Sequence, residues 1–263
     1  MSRTLKIVLS YDGTRLVGWQ RQPDGLSVQA LLEDALSRLE GRPVTAAGAG
    51  RTDAGVHALG QVVSIRLEHR IPTADLARAL NAMLPADVRV LEVAEAAEGF
   101  HARYSAREKT YRYFVACGDP PGPFEARYAW HVPYRLSVEA MADAARRLEG
   151  DHDFAAFRST GSRVVSSRRE LSRSRIAAVP FVEAFGWGLE PGRRPPGSHL
   201  LCYEVTGNGF LRHMVRAIAG SLVEVGAGRR SPGWFDDLLR PAARAHAGPT
   251  APPTGLFLVG VGY

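Results

Sequence analysis

Apolar residues along the chain fall into alternating and helical spacings that follow one another in turn. Leu5, Ile7 and Leu9 are separated by polar or smaller residues, the period of an opening strand. Ser27 precedes a segment that places Val28, Leu31, Leu32, Ala35, Leu36 and Leu39 on one side of a helix, and Gly41 stops it. Val63, Ile65 and Leu67 alternate with Ser64, Arg66 and Glu68, which predicts a half-buried strand. Thr73 stands where a cap would open a second helix with Leu76, Leu80 and Met83 or Leu84 inside, and residues 87–95 read as another strand.

The second half repeats this order loosely. Residues 109–116 (KTYRYFVA) are aromatic and β-branched, and so predict a strand. Ser137 caps a predicted helix through Leu148, and strands are predicted near 172–182 and 200–206. Residues 210–225 read as one long helix with Leu211, Met214, Val215, Ile218 and Leu222 as its apolar stripe. Ser231-Pro232 signals a further helix start, GLFLVGVGY closes the chain as a strand, and residues 183–199 read as a surface loop. The pattern predicts an α+β protein of two similar halves, 1–105 and 106–263, each with helices on one face of its sheet.

Composition excludes several classes. The chain is 263 residues long, 45% hydrophobic and 23% charged, which suits a globular protein and not a disordered one. No window approaches the ~18 apolar residues of a membrane span, and residues 1–10 lack a secretory signal pattern. Cys117 and Cys202 stand far apart and alone, which argues against a disulfide framework or cysteine zinc site and fits a cytoplasmic protein. The formal charge is +6, and 31 of the 33 basic residues are arginine. Codon bias explains such a count; so does a phosphate-rich partner, since guanidinium forks match phosphate geometry.

Four segments carry candidate chemistry. Residues 48–61 (GAGRTDAGVHALGQ) can turn sharply or approach a ligand closely, yet fit neither a dinucleotide fingerprint nor a phosphate-binding loop. Their carboxylate is Asp53, with Arg51 two residues earlier; a turn aspartate with a local ion pair is the plain alternative to a catalytic group. His57 is open to two readings, a base or a satisfied structural histidine. Tyr111 and Tyr113 share one strand face and Arg112 the other, so Tyr111 is either core or a platform for a base. Arg212 and Arg216 lie one turn apart near the start of the predicted 210–225 helix, where cations oppose the helix dipole unless an anion is present. Residues 163–175 hold five arginines and one glutamate, either a solvated face or a phosphate contact. No metal-ligand pattern occurs in the sequence.

Taken together, these segments resemble the tRNA pseudouridine synthase A family. The likeness runs from residues 11–22 (YDGTRLVGWQRQ) to 255–263, with 50–62, 100–113 and 210–226 resembling the family's three motifs in order. Leu16 departs from it, standing where the family usually has an aromatic residue, and the 183–199 loop is longer than the usual hairpin. The resemblance implies two α+β halves around a central, mainly antiparallel sheet, a homodimer, and no cofactor or metal. It implies isomerisation of uridines 38, 39 and 40 in the tRNA anticodon arm. It makes Asp53 the essential aspartate, Tyr111 a contact to the target base, Arg51 a residue of the RNA-facing rim and Arg216 the partner of Asp53.

That chemistry suits the residues. Converting uridine to pseudouridine breaks the N1–C1′ bond and joins C5 to C1′, with no change in mass or redox state. One ionised carboxylate can act as nucleophile or base and stabilise positive charge on the sugar. An arginine beside it opposes the effect of burial without competing for protons. Two rivals remain open at the sequence level: a non-catalytic tRNA-binding or chaperone protein, which needs the arginines but not Asp53, and a carboxylate-based hydrolase of nucleotides.

Overall fold

A computed structural model describes residues 2–159, 166–179, 199–240 and 246–263. By their contacts, 1–109 and 257–263 form one unit and 110–256 another. The closing strand, read from the sequence with the second half, packs in the first.

The first unit has strands β1 (Arg3–Tyr11), β2 (Ala47–Gly48), β3 (His57–Leu67) and β4 (Val88–Glu95), with β10 (Leu256–Gly262) completing it. Their order is β4-β1-β3-β10, with β2 also on β3. The β1–β3, β1–β4 and β2–β3 pairs are antiparallel, and β10 runs parallel to β3. Alternation on β1 buries Leu5, Ile7 and Leu9 completely. Helices α1 (Val28–Glu40) and α2 (Thr73–Met83) bury Leu32, Leu36, Leu76 and Leu80. Ser27 caps α1 by accepting from the Ala30 amide, and Gly41 ends it at φ 76, as the sequence predicts. Thr73 is instead the first helical residue of α2; Pro72 holds the cap position, where no side chain bonds the amides.

On the other side, Val8, Val62 and Ala49 meet Ala102, Phe100, Val261 and Tyr263. Residues 100–105 are pinned there. Ser64 Oγ accepts from the Ala102 amide at 3.0 Å, and Tyr263 Oη donates to the Ala102 carbonyl at 2.8 Å.

The second unit has β5 (Glu108–Cys117), β6 (Trp130–Val132), β7 (Gly150–Asp153), β8 (Arg168–Val179) and β9 (His199–Gly207). Their order is β5-β9-β8-β7, with β6 parallel to β5 and the β7–β8 and β8–β9 pairs antiparallel. The helices are α3 (Pro123–Tyr128), α4 (Val138–Arg146), α5 (Met214–Gly226) and α6 (Trp234–Leu239). Ser137 caps α4 as expected, but that helix ends at Arg146, before Leu148.

The 210–225 helix is corrected in two respects. It starts at Met214, because His213 is left-handed at φ 63 and breaks the helical path. It is also buried nearly all round, including Ala217, Ala219, Gly220 and Ser221, rather than along one stripe. These small residues admit the returning chain. A Cβ on Gly220 would sit 1.7 Å from the Pro249 carbonyl oxygen, and Ser221 Oγ accepts from the Gly248 amide at 2.9 Å. The loop predicted at 183–199 lies almost wholly outside the described residues.

Candidate active site

Asp53 sits on the loop between β2 and β3, and its backbone is bracketed by the segment that follows β1. The Trp19 amide donates to the Thr52 carbonyl at 3.1 Å, and the Gly55 amide to the Leu16 carbonyl at 3.3 Å. Gly55, at φ 77, makes the turn, which closes through Val56 N–H on the Asp53 carbonyl at 3.1 Å. Gly18, at φ 100, lets the two segments approach: a Cβ there would lie 2.5 Å from Thr52 O and 2.9 Å from Asp53 C. The amides of Val28 and Gln29, at the start of α1, donate back to the Gly18 and Trp19 carbonyls at 3.2 and 3.0 Å. Leu16 is buried, so this departure from the family pattern is a core residue.

Beneath the loop lies a buried polar cluster that sequence reading missed. Tyr11 Oη and Thr52 Oγ1 are 2.8 Å apart, and Gln61 Nε2 donates to Tyr11 Oη at 3.4 Å and to the Gly50 carbonyl at 2.8 Å. Burial pushes the Tyr11 phenol up to about 12, against the pull of Thr52 and Gln61, so it stays a neutral donor. Asp53 itself is partly exposed above this base, and Arg51 beside it is exposed and makes no ion pair with any carboxylate among the described residues.

His57 follows this loop as the first residue of β3. It is 1% exposed and stacked on Phe257 at 4.6 Å, and its Nδ1 accepts from the Gly13 amide at 3.0 Å. Asp12 Oδ1 lies 3.2 Å from the same nitrogen.

In the other unit, β5 alternates as predicted: Tyr111 and Tyr113 are buried, while Arg112 pairs with Glu204 at 2.8 Å. Tyr111 packs edge-on against Phe210 with centroids 5.0 Å apart. Tyr113 Oη donates to the Pro252 carbonyl at 2.7 Å, and burial raises its pKa far above the ordinary tyrosine value. Arg216 lies in the first turn of α5. Its Nε donates to the Ala251 carbonyl at 2.8 Å, and its own carbonyl accepts from the Ala251 amide at 3.1 Å. Arg212, expected one turn before it on the helix, lies outside the helix and is exposed.

Three arginines of the 163–175 run have carboxylate partners. Arg168 pairs with Asp151 at 2.9 Å, Arg173 with Glu204 at 2.9 Å, and Arg175 with Glu149. Arg169 donates to the Ser166 and Arg168 carbonyls, and Arg163 lies outside the described residues. No group of three His, Cys, Asp or Glu side chains able to hold a metal occurs among the described residues. No helix among them is long and apolar enough to cross a membrane.

A family profile described as tRNA pseudouridine synthase matches residues 7–105 and 144–263. The mixed α+β units and that match define a protein of the pseudouridine synthase fold, in a class of isomerases. Three curated relatives carry the name tRNA pseudouridine synthase A. That of Moorella thermoacetica is 43% identical over 98% of this chain and 99% of its own. That of Geobacter sulfurreducens is 42% identical over 97% and 98%, and that of Myxococcus xanthus 42% over 98% and 91%. The chain belongs to the tRNA pseudouridine synthase family.

Proposed function

We propose that this enzyme isomerises uridines 38, 39 and 40 of the tRNA anticodon stem-loop, with Asp53 as its essential catalytic residue. The observation that supports this best is the Asp53 turn. It is the carboxylate of a family motif, held rigidly by Gly18, Trp19 and the Tyr11–Thr52–Gln61 cluster, and still reachable from solvent. A group placed this way reacts without first paying to order its loop.

Tyr111, Arg51 and Arg216 are assigned to substrate binding. Extruding a base from its stack costs a few kcal/mol, which aromatic stacking and arginine–phosphate contacts offset. Arg216 is anchored through Nε to a main-chain carbonyl, which fixes the stem of an always-charged group. The reaction needs no external electron or group donor: the C5 proton is lost, N1 regains one, and the glycosidic bond moves from N1 to C5. We assign the protein to the cytoplasm as a homodimer, a state that light scattering at micromolar concentration reads directly.

Tritium release from tRNA labelled at uridine C5 tests the activity, and carbodiimide mapping of the product locates the modified positions. Release by the wild type and none by Asp53→Asn is the expected result. Full release by Asp53→Asn would sink the catalytic assignment, and modification elsewhere in the tRNA would sink the positional one.

A further inference from the structure

We propose that a cavity in the 110–256 unit seats one phosphodiester group of the RNA substrate, a contact that rests on the tRNA reading above. The cavity is about 150 Å³, with Arg158, Ser159, His213, Ala217, His246 and Thr250 in its wall. That is below the roughly 300–1,000 Å³ of small-molecule sites, so it admits a single small group and not a nucleoside. No Asp or Glu among the described residues lines it. An arginine, two histidines, a serine and a threonine are among its lining residues, side-chain types that donate to an anion.

Two observations make the cavity more than a basic dent. Ser159 Oγ is buried with no hydrogen-bond partner among the described residues, while the Ser159 amide is tied to the Arg212 carbonyl at 3.4 Å. A buried hydroxyl in that state has lost its water and gained nothing, and a phosphate oxygen is the acceptor it lacks. His213 is the one non-glycine described residue with positive φ. It holds that conformation at the mouth of α5, a 13-residue helix, and its side chain does not cap the helix amides. The positive end of α5 therefore adds to the same anionic preference. Arg158, His246 and Thr250 are exposed at the rim, so a phosphate on a polymer can enter without any part of the unit opening.

The test compares wild type, Ser159→Ala and the double variant Arg158→Gln, His246→Gln. Binding of unlabelled tRNA transcript is measured across a salt series, beside tritium release and thermal unfolding. The double variant should bind roughly tenfold more weakly, the loss of a charge-assisted contact. Its slope of log affinity on log salt should become shallower by about 1. The KM for tRNA should rise by more than kcat falls. Ser159→Ala, which removes one oxygen and disturbs no partner, should weaken binding in the same direction by a smaller factor; it keeps the proposal testable if the double variant folds poorly. Affinity within twofold of wild type with an unchanged salt slope in the folded variants overturns the proposal. Inorganic phosphate provides the third arm. Phosphate saturating the wild-type cavity while tRNA binding keeps its slope in the variants also overturns it, in favour of a free-anion site. The binding slope is read without turnover, so an inactive wild type would defeat the proposed activity while leaving this result interpretable.

Discussion

Replacing Gly18 by alanine adds one methyl group, and its consequence can be worked out in advance. At φ 100 an alanine is strained whatever space surrounds it, at roughly 1–3 kcal/mol. The new Cβ would also stand 2.5 Å from Thr52 O and 2.9 Å from Asp53 C, both main-chain atoms, so no side chain can swing away. Relief requires the Asp53 loop to move by several tenths of an ångström to about 1 Å, a misplacement that costs about 10²-fold in rate. Gly41→Ala is the matched control. It carries the same kind of left-handed strain at φ 76, with nothing within 4 Å of its Cβ and no connection to the Asp53 loop. Both variants should unfold at lower temperature, by roughly 2–4 °C per kcal/mol for a chain of this size. Only Gly18→Ala should lose turnover in the tritium assay, by about 10²-fold. A Gly18→Ala enzyme that turns over within twofold of wild type, or a Gly41→Ala enzyme that loses as much, would refute the view that Gly18 sets the position of Asp53.

Tyr11→Phe should destabilise the fold by about 1–3 kcal/mol in thermal unfolding, because Thr52 and Gln61 lose a buried partner, and should lower kcat more than it raises KM. An unchanged kcat would remove the cluster from the support of Asp53. Arg168→Glu with Arg169→Glu should leave tRNA affinity within roughly threefold, because Arg168 is paired with Asp151 and Arg169 bonds main-chain carbonyls; a tenfold loss in filter binding would restore the run as an RNA contact. Glu224 is bonded by Arg229 through both carboxylate oxygens, which holds its carboxyl below the usual carboxylate range. The stability this gives is complete above the ordinary glutamate pKa of about 4.3 and fades as pH falls through the lower folded value. Glu224→Gln should flatten that acid limb in pH-dependent unfolding, and an unaltered limb would reassign it to other carboxylates.

What could be read from the sequence was local. The Ser27 cap and the Gly41 stop are decided by residues a turn apart, and the Tyr111–Arg112–Tyr113 alternation by neighbours on one strand. Each of these is a relation between residue type and its immediate backbone, which the chain itself displays. The start of α5 was not legible, because the apolar spacing continues smoothly through His213 while its φ turns left-handed. Periodicity carries no record of a single dihedral. The near-complete burial of α5 was hidden for another reason: the segment 248–251 covers the side where Gly220 and Ser221 lie, and that contact closes over more than 20 residues.

The candidate site divides in the same way. The motif at 48–61 announced a backbone built for close approach, and Gly55 does turn there. The glycines on which Asp53 depends most, Gly13 and Gly18, belong to the segment after β1. Their missing Cβ atoms leave room for the backbone of Val56, Thr52 and Asp53. The support below, Tyr11, Thr52 and Gln61, joins β1, the loop and β3, and none of those residues stood out by type. The arginine run shows the opposite case. Arg168, Arg173 and Arg175 drew attention as a block, but their charges are met by Asp151, Glu204 and Glu149 from β7, β9 and the end of the α4 segment, acidic residues dispersed in sequence and gathered by strand pairing. An arginine therefore informs about a phosphate partner only after its carboxylate neighbours are known. By that standard Arg51 and Arg158, two of the exposed arginines with no ion pair to a carboxylate among the described residues, say more about an RNA partner than net charge does.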